Sequence, residues 1–62
     1  MSYETDLIRK ITGGISGVKN KTKTPAEAKL GPLFAALKKV NVGQHDELMN
    51  NYKAVLETLK KE

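Results

Sequence analysis

From Leu48 onward, apolar side chains return at Tyr52, Val55 and Leu59, at spacings of four, three and four residues. That rhythm lines one side of an α-helix and cannot line one face of a strand. Val42, Met49 and Leu56 widen the same face. Asn41 with Gln44 three residues later has the form of a capping box, and Asp46 and Glu47 are expected in the first turn, where the helix dipole favours acids. Lys60 and Lys61 fall in the last turn, where positive charge is favoured. The pattern predicts a helix over 42–61.

The middle of the chain announces a second helical region. Thr24-Pro25-Ala26-Glu27 offers a capping threonine, a proline at the first helical position and a glutamate at the third. Leu30, Leu33, Phe34, Leu37 and Val40 then form one stripe. Gly31-Pro32 interrupts it, because Pro32 has no N–H to donate and its ring crowds the preceding turn. Residues 24–40 are expected to be one helix kinked at Gly31-Pro32, or a short helical turn followed by a second helix starting at Pro32.

Towards the N-terminus, Leu7, Ile8, Ile11, Ile15 and Val18 keep helical spacing, with Ser2 or Thr5 placed to cap the start. Gly13, Gly14 and Gly17 oppose it, each costing about 0.8–1 kcal/mol relative to alanine inside a helix. The expectation is a helix over 3–12, with its extension to 18 left open. Residues 19–23, Lys-Asn-Lys-Thr-Lys, lack periodicity and read as a basic loop. No segment alternates with a period of two. The fold class is therefore all-α: one domain over 1–62, a small two- to three-helix bundle built on an antiparallel helical hairpin of 24–40 and 42–61. Only a couple of residues connect those two elements, which favours adjacent helices.

Several chemistries lack the residues they need. With no cysteine there is no disulfide and no thiolate metal site, and His45 is the only histidine. His45, Asp46 and Glu47 read as helix-start residues, since no nucleophile or water-excluding pocket accompanies them. No apolar run approaches the roughly 18 residues that span a bilayer. The N-terminal segment has neither the basic start nor the apolar stretch of a secretory signal. The expected location is the cytoplasm or the interior of a macromolecular assembly. No enzyme activity, cofactor, metal or small-molecule substrate is expected.

Gly13-Gly14-Ile15-Ser16-Gly17, followed by lysines, is the most suggestive local motif. Exposed glycine backbone can cradle phosphate, but the G-x-x-x-x-G-K-[ST] spacing is absent. Gly14 to Gly17 has the bare G-x-x-G form of a KH-type RNA clamp without the strands that fold needs. Gly13 and Gly17 also match G-x-x-x-G, a spacing that lets helices approach closely, here on the side opposite Leu7, Ile11 and Val18. A turn or hinge is the commoner role for such a stretch.

Two functional readings remain. A chain of 62 residues buries a smaller share of its surface than a larger domain does, so its apolar stripes invite self-association or docking on a protein partner. Leu33, Phe34, Leu37, Tyr52 and Leu56 are the candidate anchors of such an interface. In this reading the chain is a regulatory, inhibitory or assembly module without catalysis. The alternative uses the formal charge of +4. Lys19, Lys21, Lys23, Lys29, Lys38 and Lys39 would then meet the phosphate backbone of a nucleic acid without reading its sequence. All but one of the 11 basic residues are lysines, and lysine lacks the forked geometry suited to base recognition. In composition alone the chain resembles the short basic helical accessory proteins of phages and mobile elements, a likeness that assigns no residue a role.

Overall fold

Ser2 opens the first helix by accepting a hydrogen bond from the Thr5 N–H at 3.1 Å through its side chain. In the computed structural model, which describes residues 2–61, this helix (α1) runs unbroken over Tyr3–Lys19. Three glycines do not stop it, because Leu7, Ile11, Gly14 and Val18 all face inward and tertiary packing supplies what propensity withholds. Gly14 belongs to that buried stripe, and its lack of a side chain is what lets Leu30 rest against the α1 backbone. Lys19 is the last residue of α1, so the basic loop begins one residue later than the composition suggests.

The loop folds back on the helix it leaves. The Gly17 carbonyl accepts from the N–H groups of Thr22 (2.9 Å) and Lys23 (3.2 Å) and from the Thr22 hydroxyl (3.1 Å). Thr24 then caps a single helical turn (α2), Pro25–Ala28, through a complete capping box with Glu27. The next helix (α3) spans Leu30–Val40.

The break in 24–40 therefore falls at Lys29, which takes a left-handed conformation (φ 48°, ψ 48°), and not at Gly31-Pro32. Starting α3 at Leu30 places Pro32 third in the helix. There its missing N–H would have had no intrahelical partner in any case. Of the two forms expected for 24–40, the short helical turn followed by a second helix is the one found, with that second helix starting at Leu30 and not at Pro32.

The last helix (α4) is Val42–Lys61, as its apolar rhythm predicts. Asn41 accepts from the Gln44 N–H at 3.2 Å through its side chain. The reciprocal arm of the expected capping box is replaced, since the Asn41 backbone N–H goes to the Leu37 carbonyl at 2.7 Å. Asp46 and Glu47 lie one turn beyond the first turn of α4, which carries no acid.

No strand occurs among the described residues. The arrangement has four helices instead of two or three, α2 being the extra turn. Leu7 and Ile11 of α1, Leu30, Phe34 and Leu37 of α3 and Leu48 of α4 form the core. Phe34 is the aromatic member of this core. The His45 ring meets it edge-on (5.7 Å, 88°) and the Tyr52 ring lies tilted against it (5.9 Å, 31°). The molecule measures 36 × 19 × 16 Å, with a radius of gyration of 11.4 Å, somewhat above the roughly 10.6 Å of a near-spherical chain of this length.

Candidate functional site

The elongation has a simple origin. With a rise of about 1.5 Å per residue, α3 is about 16 Å long and α4 about 30 Å. α3 can cover only part of α4, and among the described residues of α4 Leu48 alone is buried. Met49 and Tyr52 still pack against the core, but Val55, Leu56 and Leu59 continue the same stripe beyond it and are only half-buried.

Three recesses adjoin this overhanging stretch. One, of about 320 Å³, is lined by Lys19, Ala54, Val55, Thr58 and Leu59. A second, of about 560 Å³, lies among Pro25, Lys53, Leu56, Glu57, Leu59 and Lys60. The third, of about 290 Å³, runs from Val18 along the loop to Pro25 and ends at Leu59. Leu59 borders all three. The loop that pins itself to Gly17 carries Lys23 and Pro25 to this end of the molecule. Glu27, which also borders the third recess, holds both the Thr24 N–H and its hydroxyl at 3.1 Å through one carboxylate oxygen. The result is an apolar floor with lysines around it.

Four of the five expected interface anchors are gathered in the core or against it. Phe34 (4% exposed) and Leu37 (0%) are core residues with almost no surface to offer a partner. Leu33 and Tyr52 are half-buried against that core. Leu56 alone lines one of the open recesses. Pro25, Val55 and Leu59 belong with it, and for the last two the sequence carried a signal: the α4 stripe is longer than that of α3.

The expected nucleic-acid residues divide likewise. Lys19, Lys21, Lys23, Lys29, Lys38 and Lys39 are all exposed, but they do not form one surface. Lys19, Lys21 and Lys23 stand at the Leu59 end. Lys39 lies beside Tyr3 and Val40 in a separate recess of about 470 Å³, near the other end of α1, about 24 Å away along that helix. Lys53 and Lys60, not among those expected, join the first group. The glycine motif at 13–17 lies inside α1, where its N–H groups serve the helix and form no phosphate cradle. Gly13 meets nothing, and Gly17 backs onto the Lys23 side chain.

No known protein family, curated protein or solved structure matches the chain. Among the described residues there is no gathering of three or more His, Asp or Glu suited to a metal ion, and no helix long and apolar enough to cross a membrane. The His45 imidazole Nδ1 and the Asp46 carboxylate lie 2.9 Å apart on the α4 surface next to Phe34.

Proposed function

We propose that this chain is a non-enzymatic interaction module, regulatory or assembly-related, whose partner is a protein docking on the open end of the α4 stripe. In this reading α3 and α4 are an antiparallel helical hairpin, α1 braces it, and the overhang of α4 is the working surface. It acts in the cytoplasm or inside a larger assembly, and needs no cofactor or small-molecule substrate. The observation that carries the reading is Leu59, a large aliphatic side chain bordering three recesses at once. A half-buried aliphatic side chain ringed by charged groups offers a partner apolar surface to remove from water, at about 25 cal/mol per Å².

The lysines at the same end favour a second reading, contact with a nucleic-acid backbone through Lys19, Lys21, Lys23, Lys53 and Lys60. The two separate by salt and by substitution. Sedimentation of the purified protein, alone and with generic duplex and single-stranded nucleic acid, is measured at low and moderate salt. Charge-driven binding collapses as salt rises, whereas apolar docking largely persists. Leu59→Ser retains the helical circular-dichroism spectrum, because Leu59 lies outside the core, and it weakens protein association. If the only association found is with nucleic acid, lost at moderate salt and indifferent to Leu59→Ser, the nucleic-acid reading replaces the first.

A further inference from the structure

The chemistry around Leu59 narrows the class of partner. We infer that the recesses meeting at Leu59, with Val55 in one and Leu56 in the next, together take an acidic amphipathic α-helix of a protein partner, its apolar side on these residues and its carboxylates against Lys19, Lys23, Lys53 and Lys60. This rests on the interaction-module reading and extends it.

Shape comes first. Beyond Tyr52, which packs on the core, Val55, Leu56 and Leu59 sit at i, i+1 and i+4, so the open stretch is about 6 Å of helix surface, little more than one turn. Ridges at that spacing accept the ridges of another helix. The described residues offer no sheet edge, so strand addition is not available as a docking mode.

Charge comes second. Lys19 borders the recesses from the α1 side, Lys23 from the loop, and Lys53 and Lys60 from the far side of α4. Among the described residues two acids, Glu27 and Glu57, border the same recesses, against the lysines Lys19, Lys23, Lys53 and Lys60. A partner carrying Asp and Glu on the shoulders of its apolar stripe complements this surface, and one carrying Lys and Arg is repelled by it.

Other occupants fit less well. A second copy brings another formal charge of +4, and a two-fold pairing of this face would set the same lysines against each other. A nucleic acid would satisfy the lysines but leave Val55, Leu56 and Leu59 facing phosphate. The nearest aromatic ring, Tyr52, already packs on Phe34, so it gives no platform for a base.

The test uses the full chain and fluorescence anisotropy with labelled synthetic peptides. One peptide of about 18 residues has leucines at i, i+3, i+4 and i+7 with glutamates elsewhere. Its counterpart replaces every glutamate with lysine. A generic oligonucleotide and vesicles containing phosphatidylserine complete the set. The expected result is binding of the acidic peptide, with amide shifts in NMR spectra centred on residues 53–60 and Lys19. Leu59→Ser weakens it about tenfold. The double variant Lys53→Glu, Lys60→Glu weakens it at least as much and gains affinity for the lysine peptide. Should that double variant fail to fold, Lys53→Gln with Lys60→Gln is expected to give a smaller loss in the same direction.

Equal binding of both peptides at residues 53–60 overturns the acidic class while leaving the interaction module standing. Shifts centred on Lys38 to Val42, or Leu59-dependent capture by vesicles without peptide binding, overturn the inference. Binding of the oligonucleotide alone, unchanged by Leu59→Ser, overturns the inference and the module together.

Discussion

A methyl group added at Gly13 would point into open space, with nothing within 4 Å. One added at Gly14 would lie 2.5 Å from Cδ2 and 3.2 Å from Cγ of Leu30, a side chain only 3% exposed and wedged in the core. Both positions lie inside α1, so both substitutions recover helix propensity, about 0.8–1 kcal/mol. Gly13→Ala is expected to keep that gain and raise Tm by about 4–8 °C in a thermal melt followed by circular dichroism. Gly14→Ala is expected to lower Tm, because forcing a methyl into a packed site costs about 1–3 kcal/mol and outweighs the propensity term. Gly14 could have been singled out from the sequence. It stands three residues after Ile11 and four before Val18, on the buried stripe itself, whereas Gly13 and Gly17, which match the close-approach spacing, do not make the helix–helix contact. A second residue-scale feature is Lys29, a lysine in the left-handed region. That conformation costs a side-chain-bearing residue about 1–2 kcal/mol. Lys29→Gly is expected to raise the urea midpoint by an amount equivalent to about 1 kcal/mol, with the slope of the transition unchanged.

Elements were legible in proportion to how local their causes are. α4 could be read to its bounds because an asparagine cap, a long apolar rhythm and terminal lysines all lie within it. α2 could be read at its start for the same reason, since Thr24, Pro25 and Glu27 are contiguous. The full length of α1 could not, because its second half depends on Leu30 packing against Gly14, a contact between residues far apart in sequence. Nor could the break at Lys29, since nothing about a lysine announces a left-handed backbone, whereas Gly31-Pro32 next to it carries the usual signs of interruption. The functional surface follows the same logic. Leu56 was expected to contact a partner, Val55 and Leu59 were read only as members of the apolar face of α4, and Phe34 and Leu37 as part of an interface. A stripe records which side of a helix is apolar, and only the neighbouring helix decides which part of it stays open.

Across the whole molecule, that difference in helix length predicts an uneven distribution of stability. Ile11, Phe34 and Leu37 are locked among α1, α3 and α4, while residues 55–61 of α4 lie beyond the core. Local openings are easiest where few apolar contacts must be broken. In native-state hydrogen exchange, amides of residues 55–61 are expected to exchange through openings much smaller in free energy than global unfolding, with Ile11 and Leu37 amides among the last to exchange. Uniform protection along α4 would mean that its far end is held as firmly as its start.

The shared position of Leu59 has a consequence of its own. A leucine side chain moves between a few staggered wells, and a wall common to three hollows cannot retreat from one without advancing on another. The hollows are thus not three independent sockets. They share one wall, so a ligand that turns Leu59 to enlarge one of them alters the other two.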